Sequence, residues 1–175
     1  MIDVHGIPGH LLDGDVRFLQ TLAESLSTDA RVAEIGTHFG ASAAAMALAN
    51  PGLRVLCHDT WLDTERSPNM AIFMGHIIRL GLETRVIPVR GDSSHSVTQY
   101  RPEHFDAIWI DGDHENPGFR KDLHLWHPLL KEGGIFCGHD CVPGSDIDLE
   151  TSKFAQWHGM GRSIVEGTHY VWVMK

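Results

Sequence analysis

The stretch FDAIWIDGDHENPGFRKDLHLWHPLLKEGGIFCGHD, Phe105 to Asp140, decides the fold. An apolar run from Ala107 to Ile110 stops abruptly at Asp111, Gly112, Asp113, His114 and Glu115. It reads as a buried strand ending in a concentration of acids and an imidazole. The segment from Gly118 then places Phe119, Leu123, Trp126 and Leu130 on one helical face, with Pro128 kinking or restarting the last turn. Gly133 and Gly134 are expected to close that helix. GIFCGHD follows as a further strand.

The same alternation extends outward. RVAEIG, LRVLCHD and TRVIPVRGD read as strands, whereas GDVRFLQTLAESLS, SAAAMALAN and NMAIFMGHIIRLGL carry helical spacing. SHSVTQY and SKFAQWHG are expected as short helices. RSIVEGTHYVWVMK reads as two strands around a tight turn at Glu166, Gly167 and Thr168. Strands alternating with helices imply an open, mostly parallel sheet with helices on both faces. The last two strands are antiparallel, because their connection is too short for a crossover. With no repeat, low-complexity tract or linker, residues 1–175 are expected to form one α/β domain.

The formal charge of −9, with Lys and Arg scattered, argues against a nucleic-acid or anionic-membrane partner. No run approaches the ~20 apolar residues of a membrane span. The N-terminus lacks a signal-peptide pattern, so a cytoplasmic location is the default expectation. Cys57, Cys137 and Cys141 show no secreted spacing and are expected to be reduced.

Ligands of such sheets bind beyond the carboxyl ends of the strands. Here those ends carry Glu34-Ile35-Gly36, Asp59, Gly91-Asp92, Asp111 and His139-Asp140. Solvation explains one or two acids there; five on one rim point to a pocket. In EIGTHFGAS, Gly36 and Gly40 permit a tight turn and Ser42 is placed to cap the next helix. The loop is neither GxGxxG nor a Walker loop, and Glu34 favours a cation over a phosphate. Asp59 stands where an acid accepts ribose hydroxyls, and Trp61 either stacks on a ring or packs a lid. Asp92 and Ser93 either bond a base amine or cap the next helix. Asp111, His139 and Asp140 form a candidate ligand set for a divalent cation. Cys137 and Cys141 nearby raise a zinc alternative. The alternative without metal leaves Asp111 to an organic cofactor and His139 to the core. His114 is a candidate general base, with an ordinary pKa near neutrality, or an orienter of its loop.

Together EIGTHFGAS, CHDTW, RGDSSHSV and the Phe105–Asp140 stretch resemble class I S-adenosylmethionine-dependent methyltransferases, most closely the small-molecule O-methyltransferase branch of macrocin and cephalosporin biosynthesis. The resemblance runs from Pro8 to the end. It implies a Rossmann-like seven-stranded sheet with a C-terminal antiparallel hairpin and a cofactor pocket at the rim. It places Glu34, Gly36 and Gly40 at the methionine end, Asp59 at the ribose, and Asp92 with Ser93 at the adenine; Thr37, Ser42 and Trp61 are further candidates for binding the cofactor. Asp111 would face the transferred methyl and, in metal-dependent relatives, bind Mg²⁺ with two residues after strand five. His139-Asp140 stands where those relatives often carry two acids or an acid and an amide, which leaves a softer metal, or none, open. The expected acceptor is a hydroxylated small molecule, and a homodimer would complete a site with little lid. Cover is expected from Asp63–Met74, from Cys141–Thr151, or from another subunit. Alternatives are a non-catalytic adenosylmethionine- or nucleoside-binding protein and, disfavoured by the missing GxGxxG, a nicotinamide oxidoreductase.

Overall fold

The apolar segments fold as seven strands: β1 (Arg31–Ile35), β2 (Arg54–Asp59), β3 (Val86–Arg90), β4 (Phe105–Ile110), β5 (Leu130–Gly138), β6 (Arg162–Ile164) and β7 (Trp172–Met174). They form one sheet in the order β3-β2-β1-β4-β5-β7-β6. The computed structural model describes residue 4 and residues 6–62 and 70–175. β1 to β5 are parallel, and β7 runs antiparallel to both β5 and β6. Val32 of β1 pairs with Val55 on one side and Ala107 on the other. The chain builds outward from β1 to β3, then restarts at β4 on the opposite side. The switch point therefore lies between β1 and β4.

Helices α1 (Asp13–Ser25), α2 (Ala41–Ala49) and α3 (Met70–Arg79) cover one face. Helices α4 (Ser93–Ser96), α5 (Gly118–Trp126) and α6 (Asp146–His158) cover the other. Successive residues of β4 enter different cores: Trp109 packs with Leu19, Ala44 and Phe73, whereas Ile108 and Ile110 pack with Phe119, Leu123 and Phe136. A strand buried on both faces needs an unbroken apolar run. Each such large side chain contributes roughly 1.5–3 kcal/mol of burial. In α2 every residue from Ala41 to Ala47 is buried, which small side chains permit between α1 and the sheet. Its C-terminus meets Arg85, whose Nη1 donates to the carbonyls of Ala47, Asn50 and Leu53, a cation at the negative end of the helix dipole.

Three local expectations are corrected. The helix after β4 ends at Trp126; His127–Leu129 form one 3₁₀ turn around Pro128, and Leu130 already begins β5. Proline lacks the N–H that would continue the ladder. Gly133 and Gly134 thus close no helix: they lie in β5, where the register against β4 shifts, and a Cβ on Gly134 would meet the Asp106 carbonyl at 2.9 Å. SKFAQWHG is the second half of the longer α6, whose start is set by Ser145, the acceptor for the Asp148 amide at 3.2 Å. The expected cover from Cys141 to Thr151 is accordingly helical from Asp146. Of the other expected cover, 63–69 lies outside the described residues and Met70–Met74 belongs to α3. The β6–β7 connection, 165–171, is wider than a tight turn because α1 holds it. Asp15 accepts the His169 amide at 2.7 Å, and a Cβ on Gly14 would strike the Gly167 carbonyl oxygen at 1.5 Å. Among the described residues no helix is long and apolar enough to cross a membrane.

Candidate functional site

The C-terminal ends of the parallel strands open on one cavity of about 1000 Å³. Its floor is the close approach of β1 to β4. The Gly36 amide donates to the His58 carbonyl at 2.9 Å and the Asp111 amide donates to the Ile35 carbonyl at 2.8 Å. Gly36 has φ +85°, and a Cβ there would lie 2.1 Å from the Asp111 carbonyl oxygen. Only glycine fits that crossing.

Asp59 gathers the loop that follows. Its Oδ2 accepts the amides of Thr37 at 3.0 Å and His38 at 2.8 Å, and its Oδ1 accepts the Trp61 amide at 2.9 Å. Asp59 and Thr37 line the cavity. Glu34 braces the loop from behind: it is fully buried and accepts hydrogen bonds from the hydroxyls of Thr37 and Ser42. Burial pushes its carboxyl up to about 7 against the pull of those bonds. Ser42 therefore reaches Glu34 and does not cap α2; the N-cap is Gly40, in the left-handed conformation against Phe73. Neither Glu34 nor Gly40 lines the cavity. Of the two roles expected for Trp61, the structure shows packing. Its ring is 1% exposed, packs on Phe73, and donates from Nε1 to the His38 carbonyl at 3.0 Å. It packs in the core at a tilt to Phe73 and is absent from the cavity lining.

Beyond β3, Asp92 caps α4 by accepting the Ser94 amide at 2.8 Å, and it also borders the cavity. Ser93 donates to Asp122 Oδ1 at 2.5 Å. Asp122, 4% exposed on α5, also lines the cavity, and burial pushes its carboxyl up to about 6. Sequence reasoning misses it. The available signal is an acid inside the apolar stripe Phe119, Leu123, Trp126.

The densest chemistry lies past β4 and β5. Asp111, His139 and Asp140 each offer one ligand atom, all within 4.8 Å of one another. His139 is 5% exposed. Its Nδ1 lies 3.4 Å from Asp140 Oδ1 and 3.9 Å from Asp111 Oδ1. Its Nε2 faces Asp15 Oδ2 at 3.2 Å, a close but bent contact. Asp15, wholly buried on α1, also accepts the amides of Leu12 and His169, each at 2.7 Å. Burial alone would raise its carboxyl, but His139 and those two amides outweigh burial and hold it below the usual range. Asp140 adopts φ +59°, a strained backbone for a non-glycine residue. His114 places Nε2 2.9 Å from Asp140 Oδ2 and 3.6 Å from Asp111 Oδ1.

These contacts decide the charges. Hydrogen bonding to Asp111 and Asp140 outweighs partial burial and pushes His114 up to about 10. Burial would lower His139, yet Asp140 and Asp15 bring it to about 10 as well. The two imidazoles hold Asp140 far below the usual carboxylate range. Burial raises Asp111 in spite of them. His114, expected as a base or as an orienter of its loop, is held between two carboxylates that raise its pKa above the ordinary imidazole value. The zinc alternative also loses its thiols. Cys137 points to the Ile108 carbonyl, and Cys141 lies 2.8 Å from Arg162 Nη2, beside Asp148 and Thr151. Sequence reasoning also passes over Asp15, which reads locally as a helix-start residue, and over His10 and His169, which line the cavity.

Residues 33–141 match the methyltransferase domain family. No curated protein matches the chain by sequence. Among solved structures, a precorrin-6y C5,15-methyltransferase from Geobacter metallireducens superposes with a TM-score of 0.75 at 14% identity, covering 99% of this chain and 93% of that one. An O-methyltransferase from Bacillus cereus, solved in complex with S-adenosylhomocysteine, gives 0.66 at 22% identity, covering 97% and 84%. A methyltransferase from Geobacter sulfurreducens gives 0.72 at 19% identity, covering 91% and 76%. At such identities these likenesses show the fold alone.

Proposed function

This chain belongs to the methyltransferase domain family, and from that premise we propose that it transfers the methyl group of S-adenosylmethionine to a hydroxyl of a small molecule. The observation that carries the reading is the convergence of Asp59, Ser93, Asp122 and Asp111 on one cavity at the switch point of the sheet. Asp59, fixed by three backbone amides, presents its outer edge to the ribose. Asp122, held by the Ser93 hydroxyl, offers its second carboxylate oxygen as an acceptor to the adenine. The Gly36–His38 backbone runs along the methionine end, and the acid-rich rim attracts a cation. Adenosylmethionine supplies an electrophilic methyl on a sulfonium and leaves as a neutral thioether.

The protein must hold the acceptor oxygen in line with that methyl and remove its proton. Alignment contributes several kcal/mol, up to roughly 7–11 in the best intramolecular models. Asp111 is the fitting proton acceptor, because burial raises its carboxyl while Asp140 is held low. The His114 imidazolium donates, orienting both carboxylates. Two carboxylates and a buried imidazole with converging atoms fit a divalent cation, and Asp111, His139 and Asp140 would hold it. Bound there, it would supply a Lewis acid that lowers the pKa of the acceptor hydroxyl.

Incubation with methyl-labelled adenosylmethionine and a panel of phenols, catechols and hydroxylated sugars tests the reading. Labelled ether should form with the native chain and not with a folded Asp111→Ala variant. Binding of adenosylhomocysteine without transfer to any compound would favour a nucleoside-binding protein instead.

A further inference from the structure

The metal-capable cluster contains a residue whose placement the rim alone does not explain. His139 is 5% exposed, and its two ring nitrogens face different partners. Nδ1 faces Asp111 and Asp140; Nε2, buried and without a well-formed hydrogen bond among the described residues, faces Asp15 Oδ2 at 3.2 Å. Asp15 comes from α1, far from the rim in sequence, and is itself pinned. The Leu12 amide holds Oδ2 and the His169 amide holds Oδ1. A fully buried carboxylate with both oxygens fixed has one orientation to offer the ring. With Nε2 turned to that carboxylate, the nitrogen left for a cation is Nδ1, and a divalent ion binding there would displace the proton that the neighbouring carboxylates otherwise hold on it.

We propose that Asp15 is a positioning residue that locks His139 with Nδ1 as a metal ligand, making this an oxygen–nitrogen site for a first-row transition cation such as Mn²⁺ or Co²⁺ in preference to Mg²⁺. Imidazole nitrogen is a poor partner for Mg²⁺, which favours oxygen and retains its water, and a good one for the later divalent ions. The proposal deepens the methyltransferase reading and rests on it for the identity of the rim. Asp15 touches no reacting atom. Its effect passes through the orientation of His139, and the segment 165–171, docked on Asp15 through His169, is the third support of that geometry.

The test uses the metal-stripped full chain titrated with Mn²⁺, Co²⁺ or Mg²⁺ alone, with electron spin-echo spectroscopy of the Mn²⁺-loaded protein as a readout independent of turnover. Nitrogen coupling to Mn²⁺ should persist in His114→Ala and vanish in His139→Ala. Asp15→Asn, checked for folding by circular dichroism, should weaken Mn²⁺ binding about 10- to 100-fold. His139→Asp should shift the Mn²⁺/Mg²⁺ affinity ratio toward Mg²⁺. Should Asp15→Asn fail to fold, Asp15→Glu takes its place, and a folded Asp15 variant with native Mn²⁺ affinity would overturn the positioning role. Native protein without nitrogen coupling, or coupling that follows His114, would overturn the proposal, as would an affinity ratio unmoved by His139→Asp. Adenosylhomocysteine is titrated separately, so failure there counts against the methyltransferase reading and failure of the metal arm against Asp15.

Discussion

Gly36→Ala is the most direct mechanical probe of the rim. The added methyl would sit 2.1 Å from the Asp111 carbonyl oxygen and 2.5 Å from its carbon, both backbone atoms that cannot rotate away. Two costs combine. The φ of +85° is unfavourable for an L side chain by about 1–2 kcal/mol. Forcing a methyl into a filled space costs typically about 1–3 kcal/mol more. The expected loss is therefore about 2–5 kcal/mol in denaturant unfolding. Gly133→Ala separates the two terms. Its φ is +72° and nothing lies within 4 Å of the position its methyl would take, so it should show the backbone cost alone. Gly36→Ala should also push β4 from β1 at the point where Asp111 enters the cavity, weakening adenosylhomocysteine at least about tenfold, or about 1.4 kcal/mol. Gly133→Ala lies outside the cavity lining and should leave that affinity intact. Equal stability losses in the two variants, with native cofactor affinity in both, would refute the claim that the β1–β4 crossing shapes the site.

Asp59→Ala leaves three backbone donors without their carboxylate and should cost about 2–4 kcal/mol together with cofactor affinity, measured by denaturation and calorimetry. His58 is buried and its pKa falls to about 3 from the ordinary 6.5. The unfolded chain then takes up a proton that the folded chain refuses. Its contribution to stability is present above pH 6.5 and is lost as pH falls toward 3, by up to about 1.4 kcal/mol per unit; His58→Gln should flatten that slope in unfolding free energies measured across the range. Glu34 acts in the opposite sense: raised from 4.5 to about 7, its contribution is present below pH 4.5 and lost as pH rises toward 7, so Glu34→Gln should remove that decline. Ser93→Ala strips Asp122 of its hydrogen bond and should weaken adenosylhomocysteine more than it weakens metal binding, both read by titration.

The sheet was legible because its signals are local. The unbroken run Ala107–Ile110 needs burial on both faces, and the short final connection forbids a parallel pair. The acids at the strand ends followed from the same count, and Asp59, Asp92, Asp111 and Asp140 all border the cavity. What stayed hidden depends on contacts distant in sequence. Asp15 on α1 and His139 at the end of β5 are far apart in sequence and meet only in the folded chain. Trp61 reads equally as a stacking ring or a packing one, because nothing local reveals that it packs on Phe73 and bonds the His38 carbonyl. The charge of His114 likewise depends on two carboxylates from different strand ends. Gly133-Gly134 shows the limit of turn chemistry: the same pair serves a helix end or a strand irregularity, and Pro128 decides which.

Calorimetric titration of adenosylhomocysteine into the metal-stripped chain tests the central claim most directly. One site per chain, weakened in Asp59→Ala and in Gly36→Ala, is the predicted result. Absence of any binding heat, with and without added divalent cation, would contradict the assignment of this rim to the cofactor.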